Sequence, residues 1–227
     1  MKDNITAYNY LKKRGATRLC HFTKVRCLVQ ILTCEDGILA TDFIKQDIRQ
    51  QNDMERYDNA KDYVCCSLQY PNGWYWNLAK QRDTDQIFRD WVVFSIDLDI
   101  LKYTKFSFCP CNSAYGSGRF IRNDVANISD IFSVSTVKIK NRPTTMLECC
   151  PTDGQAEILV YKNISLQFVS GIIVGNIESA DNIGAILKTI GKDLPVFVSP
   201  SVCNTFWSNQ VRNGQIPLET EYEYRGE

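Results

Sequence analysis

The spacing of the short apolar runs constrains this chain most. Runs of strand length occur at Thr17 to Phe22, Tyr63 to Gln69, Trp91 to Ile96, Lys105 to Phe108, Ala156 to Tyr161, Phe168 to Val174 and Pro195 to Ser199. Helical periodicity fills some of the gaps between them and not others. The regular strand–helix alternation of a doubly wound parallel sheet is therefore absent, and irregular mixing predicts an α+β fold. Helices are expected at 4–14, with Ile5, Tyr8 and Leu11 on one face and Gly15 as the stop, and at 24–34, where Thr23 serves as the cap. Two more are expected at 74–89 and at Ser179 to Ile190, the second ended by Gly191. Residues 41–61 read as a long polar loop with some helix, 111–119 as a surface loop, and the tail after Ser208 as polar and mobile; 120–150 carry no clear pattern.

The 227 residues read as one domain, 1–227, with no internal repeat or linker. With 44% hydrophobic and 23% charged residues the composition is that of a globular protein, which excludes general disorder. Lys+Arg and Asp+Glu both number 26, so the formal net charge is zero. That excludes coating of duplex DNA by bulk positive charge and argues against a membrane-surface role. A nucleic-acid ligand would have to be gripped by a local basic patch and a shaped pocket. Lys2, Lys12, Lys13 and Arg14 are not followed by an apolar leader segment, and no apolar run reaches spanning length, so a cytoplasmic location is expected and no membrane contact.

Ten cysteines in such a chain are expected to be reduced thiols. They include the pairs Cys65-Cys66 and Cys149-Cys150 and the group Cys109-Pro110-Cys111, but no C-x-x-C pair, and His21 is the single histidine. Zinc requires about four suitably spaced ligands, so no metal is expected. A Cys20–His21 dyad is disfavoured because neighbours on a strand point to opposite faces.

Four places carry side chains able to do chemistry. His21-Phe22-Thr23 sets an imidazole and a hydroxyl at a strand end, suited to a ribose or an amide; a packed histidine and a capping threonine are the plain alternative. Gln155-Ala156-Glu157 opens the apolar run Ile158-Leu159-Val160, with Gln155 and Glu157 on one face if the strand begins there. A carboxylate at such a position is costly to bury without a partner or a task, and stabilising a cationic sugar is one such task. Arg56-Tyr57-Asp58 lies in the polar loop, where an arginine suits a diphosphate. Asn112 to Arg119 offers amides, hydroxyls, Tyr115 for stacking on a base and Arg119 for a phosphate. Each of these taken singly is equally an ordinary surface feature.

Their order and placement resemble the DarT-type DNA ADP-ribosyltransferases, toxins of toxin–antitoxin and phage-defence systems. The resemblance runs from about Thr17 to about Gly175. It lies in Arg18-Leu19-Cys20-His21-Phe22-Thr23, in Gly37-Ile38-Leu39-Ala40, in Asp62-Tyr63-Val64, in Trp91-Val92-Val93-Phe94 and in Gln155-Ala156-Glu157-Ile158-Leu159-Val160-Tyr161. Arg56-Tyr57-Asp58, Ser67-Leu68-Gln69-Tyr70-Pro71-Asn72, Asn112-Ser113-Ala114 and Pro151-Thr152-Asp153 look like the guanine-modifying branch rather than the thymidine-modifying one.

The resemblance implies an ADP-ribosyltransferase fold, two small sheets forming a split core with flanking helices around an NAD cleft. It implies that His21, Phe22 and Thr23 contact the nicotinamide and its ribose, that Leu39 lines the cleft, and that Glu157 stabilises the sugar cation as nicotinamide leaves. Gln155 would orient the base, with Asn112, Tyr115 and Arg119 on the substrate side. Arg56 would contact NAD and assist attack, with Arg49 its competitor; Gln30 replaces a residue that is often small in the family. NAD is then the co-substrate, single-stranded DNA the acceptor because a base inside a duplex cannot reach the sugar, and a cognate antitoxin the expected partner. The rival readings are an ADP-ribosyltransferase or 2′-phosphotransferase-like enzyme acting on RNA or protein, a catalytically silent nucleic-acid-binding module, and a cysteine hydrolase using His21.

Overall fold

A computed structural model describes residues 2–44, 58–82 and 90–226. The elements begin with helix α1 (Lys2–Lys13), strand β1 (Arg18–Lys24), helix α2 (Leu28–Thr33), strands β2 (Ile38–Leu39) and β3 (Tyr63–Leu68), and helix α3 (Gly73–Arg82). Strands β4 (Trp91–Asp97), β5 (Phe106–Cys109), β6 (Glu157–Tyr161), β7 (Asn163–Ile164) and β8 (Val169–Val174) follow. Helix α4 (Ile177–Thr189), strand β9 (Val196–Val198), helix α5 (Phe206–Arg212) and strand β10 (Thr220–Tyr222) complete the order. Among the described residues, eight strands form one sheet in the order β10-β9-β8-β4-β1-β3-β6-β5, and β2 pairs with β7 in a separate ribbon. Its neighbours are antiparallel except β8 and β9, which α4 connects as a parallel crossover.

The unbroken apolar run of β4 fits a strand covered on both faces. Val92, Phe94 and Ile96 join a core with Leu11 of α1, Leu28 and Leu32 of α2, and Ile183 and Leu187 of α4. Trp91 and Val93 join a second cluster with Trp76 of α3 and Trp207 and Val211 of α5. Full burial of such side chains stabilises by roughly 1.5–3 kcal/mol each. Asn176 caps α4, its side-chain oxygen accepting the Ser179 N–H at 2.8 Å. No helix of the described residues is long and apolar enough to cross a membrane.

The expected pair of small sheets is joined at its base and split above it. β1 pairs with β4 along its whole length, from Arg18↔Asp97 to Lys24↔Trp91. With β3 it pairs only at Leu19↔Leu68 and Cys20↔Ser67. From His21 onward the two strands part.

Three local expectations need correction. Thr23 is not a helix cap: it lies in β1 opposite Val92, and α2 starts later, after a 3-10 turn at Val25–Cys27. A β-branched residue of high strand preference stays in the ladder when a partner strand runs beside it. The tail after Ser208 is not loose. α5 covers the second cluster, β10 pairs with β9, and Glu219 forms a bidentate ion pair with Arg18. Tyr224 lies over Gly184, where an added Cβ would stand 2.5 Å from the Tyr224 ring. These partners are distant in sequence, so local periodicity carries no sign of them. Of the expected helix at 74–89, α3 accounts for the part to Arg82, and 83–89 lie outside the described residues.

Candidate active site

A cleft with a cavity volume of about 210 Å³ opens where β1 and β3 part. Cys20, His21, Phe22 and Thr23 of β1 line it, with Leu39 to Thr41, Tyr63 to Ser67 of β3, Asn112 to Ala114 after β5, and Glu157 at the head of β6. Gln30 of α2 lines it as well.

Glu157 stands between Ser67 of β3 and Cys109 of β5 in the sheet register. It is 8% exposed. Its Oε1 accepts the Asn112 Nδ2 hydrogen at 3.1 Å and its Oε2 accepts the Ser113 N–H at 2.9 Å. The Ser113 hydroxyl in turn donates to Asp58 Oδ2 at 2.9 Å, and Asp58 Oδ1 accepts the Ala60 N–H at 3.1 Å. One serine thus bridges two buried carboxylates. Donors aimed at a carboxylate fix its position and favour its charged form. The result is a carboxylate held in one place at the cleft wall, an arrangement able to stabilise positive charge on a ligand.

The loop holding this carboxylate is built from its own residues. Asn112 Oδ1 accepts the Ala114 N–H at 3.1 Å, which turns the chain and leaves Nδ2 for Glu157. Gly118 donates to the Ser113 carbonyl at 3.0 Å. It has φ +84°, and a Cβ there would meet the Asp58 carbonyl oxygen at 2.4 Å, so only glycine lets the loop close on Asp58.

On the opposite wall, His21 Nδ1 lies 2.9 Å from the Cys65 carbonyl. A carbonyl only accepts, so Nδ1 carries the proton in this bond. This bond spans the gap where ladder pairing has stopped. The Thr23 hydroxyl hydrogen-bonds the Cys27 thiol. Phe22 faces the other way along the strand and packs on Tyr75, Trp76 and Trp91 at ring-centroid distances of 5.8, 5.3 and 5.8 Å.

Five of the thiols, those of Cys20, Cys27, Cys34, Cys65 and Cys66, line the cleft. Burial pushes Cys20 up to about 11 and raises Cys27 and Cys66 also. The Cys20 thiol donates to the Gln69 carbonyl and not to His21. This geometry gives no support to a cysteine hydrolase. Among the described residues no group of three or more His, Cys, Asp or Glu is arranged to hold a metal ion.

The structure brings together His21, Phe22, Thr23, Leu39, Asn112 and Glu157. It does not bring in Gln155, because β6 begins only at Glu157; the Gln155 N–H closes a turn on Asp153 Oδ1, and Gln155 lies outside the cleft wall. Tyr115 and Arg119 also lie outside it. Tyr115 is 45% exposed and stacks on Phe120, and Arg119 covers the other aromatic partner of that stack. Arg56 and Arg49 fall outside the described residues. Asp58, Ser67, Asn72 and Ser113 line the cleft without having been singled out for a role. Of these, only Asn72 carried a local signal, an asparagine directly before a helix.

A family model described as ssDNA thymidine ADP-ribosyltransferase, DarT, matches residues 20–206. Among solved structures, DarT of Thermus sp. 2.9 in complex with ADP-ribosylated ssDNA is similar with a TM-score of 0.59 at 15% identity, over 82% of this chain and 96% of that one. The same protein in complex with NAD+ gives 0.57 at 16% identity, over 82% and 96%. DarTG of Thermosipho africanus in complex with ADP-ribose gives 0.58 at 19% identity, over 82% of this chain and 50% of the other. The α+β architecture, a large mixed sheet with flanking helices, is the one these proteins share. No curated protein matches significantly.

Proposed function

The chain belongs to the DarT family of single-stranded-DNA ADP-ribosyltransferases, and from that premise we propose that the cleft between β1 and β3 binds NAD and presents the nicotinamide ribose to Glu157. The observation that carries this reading is the Glu157 carboxylate, buried at the cleft and fixed by Asn112 and Ser113. Residues 1–227 then act as one catalytic domain.

The reaction breaks the bond between ribose C1′ and the nicotinamide nitrogen, and the bonding electrons leave with nicotinamide. Positive charge grows on the sugar, and Glu157 stabilises it without having to reorient. His21 and Thr23 contact the nicotinamide ribose. Phe22 rests against the nicotinamide, and Leu39 lines the far wall. A nitrogen of an unpaired base then attacks C1′ and loses its proton. Arg56, or Arg49 in its place, contacts NAD and assists that attack.

Tyr115 and Arg119 stand on the rim loop, outside the reacting pocket. Their exposure suits them to a flanking base and a phosphate of the strand. Asn112 acts by holding Glu157, and Gln155 meets the base from the turn before β6. Four segments, at Arg56-Tyr57-Asp58, Ser67 to Asn72, Asn112-Ser113-Ala114 and Pro151-Thr152-Asp153, support guanine as the acceptor, where the family description names thymidine. The protein is then a cytoplasmic toxin whose antitoxin reverses or blocks the modification.

Mass spectrometry of single-stranded oligonucleotides carrying one A, C, G or T, after incubation with the protein and NAD, tests this. One ADP-ribose added to the guanine oligonucleotide alone is expected. Addition to thymidine keeps the reaction and overturns the base. Labelling of RNA or protein without DNA overturns the acceptor.

A further inference from the structure

Asn72 stands one residue before α3. Its Oδ1 accepts the Tyr75 N–H at 3.0 Å, the bond of a helix N-cap. A backbone N–H can only donate, so this contact settles which end of the amide is oxygen. The other end, Nδ2, is buried and has no hydrogen-bond partner among the described residues. Asn72 is 3% exposed and lines the cleft. Six buried side-chain atoms share this lack of a partner among the described residues, and Asn72 Nδ2 is the one whose residue forms the cleft wall.

Capping does not account for it. Serine or aspartate caps a helix about as well and leaves no buried NH₂ behind. A buried donor left unmade costs about 1–3 kcal/mol. The surroundings indicate what it is kept for: Phe22 and Tyr75, in ring contact with each other, line the same cleft and offer flat apolar surface. We propose that Asn72 is a ligand-binding residue, donating a hydrogen bond from Nδ2 to a carbonyl oxygen carried by a flat heteroaromatic ring that rests against Phe22 and Tyr75.

This inference rests on the reading of the cleft as the NAD site. Within that reading the carbonyl has two sources, the carboxamide of nicotinamide and the carbonyl of the acceptor base. Both present the same acceptor on the same kind of ring.

The decisive variant is Asn72→Asp in the full chain. Aspartate still accepts the Tyr75 N–H, so the cap survives, while the donor becomes an acceptor. Binding of NAD and of ADP-ribose is measured by calorimetry without DNA, and KM for a single-guanine oligonucleotide is measured with NAD saturating. Loss of one such bond is worth about tenfold. A nicotinamide contact lowers NAD affinity about tenfold and leaves ADP-ribose affinity unchanged. A base contact raises the oligonucleotide KM by a similar factor and leaves both affinities unchanged. A merely structural role would weaken all three together.

Asn72→Ser keeps a neutral cap and gives the same readings if the aspartate variant does not fold. Variants that cap normally and match wild type in all three measurements overturn the proposal. If wild type binds neither NAD nor ADP-ribose, the NAD reading of the cleft fails before the role of Asn72 is reached.

Discussion

Two regions of the large sheet are built on different terms. At the β8–β9 end, Ile172, Val174 and Val196 meet Ala180, Ile183 and Leu187 of α4, and the buried side chains are almost wholly apolar. At the β1–β3 junction the strands separate after two residue pairs, and Thr23, Asp58, Ser67, Asn72, Ser113 and Glu157 are buried beside one cleft. Burial stabilises the first set and opposes the second unless each polar group finds a partner. One region therefore holds the molecule together, and the other spends part of that stability on a prepared polar surface.

Substitutions in the two regions should separate stability from turnover. The largest effect is expected from Phe94→Ala, at a fully buried side chain of β4. It should cost about 3–5 kcal/mol in urea unfolding at unchanged m-value. A cost below about 1 kcal/mol would mean that the core is not where the stability lies. Next comes Glu157→Gln, which should lower ADP-ribose transfer by about 10²–10³-fold. Its stability cost should stay within about 1–3 kcal/mol, because one of two N–H donors loses its acceptor. Unfolding of this variant, or full activity in it, would break the division of labour between the regions.

The smallest effect sharpens the comparison through pH. Asp153 precedes β6; its Oδ1 accepts the Gln155 N–H, and its Oδ2 has no partner among the described residues. Burial raises its pKa above the ordinary carboxylate value. A raised folded-state pKa gives a contribution that is complete below the unfolded value and is lost as pH rises through the folded one. Asp153→Asn should therefore raise Tm at neutral pH, and the gain should vanish toward about pH 3, where wild type is itself protonated. A Tm difference independent of pH would show that this carboxylate does not titrate on unfolding.

Much of the apolar region was legible from the residues. The run at Trp91 to Phe94 and the periodicity behind α4 state their own burial. Glu157 at the head of an apolar strand reads from the residues alone as readily as a surface strand-edge carboxylate, and a role for it came only with the family resemblance. Thr23 was misread because capping preference and strand preference compete at the same residue type, and only the neighbouring β4 decides. The strand placement of Gln155 was misread because the start of a strand is set by its partners, here Ser67 and Cys109 opposite Glu157. Ser113 and Asp58 lie 55 residues apart and meet through a loop that Gly118 allows to close, which no local pattern announces. The same holds for Arg18 and Glu219 across 201 residues.

β1 lies inside the sheet between β4 and β3, although it is the earliest strand in the chain. A chain growing from its amino end makes the histidine-bearing strand first and leaves both its edges unpaired until β3 and β4 follow. Unpaired edges invite wrong partners. Because β6 joins β3 from the far side of a long excursion, Glu157 and His21 belong to no shared fragment short of most of the chain. His21 and Glu157 therefore come into register only once β6 has joined β3 beside β1.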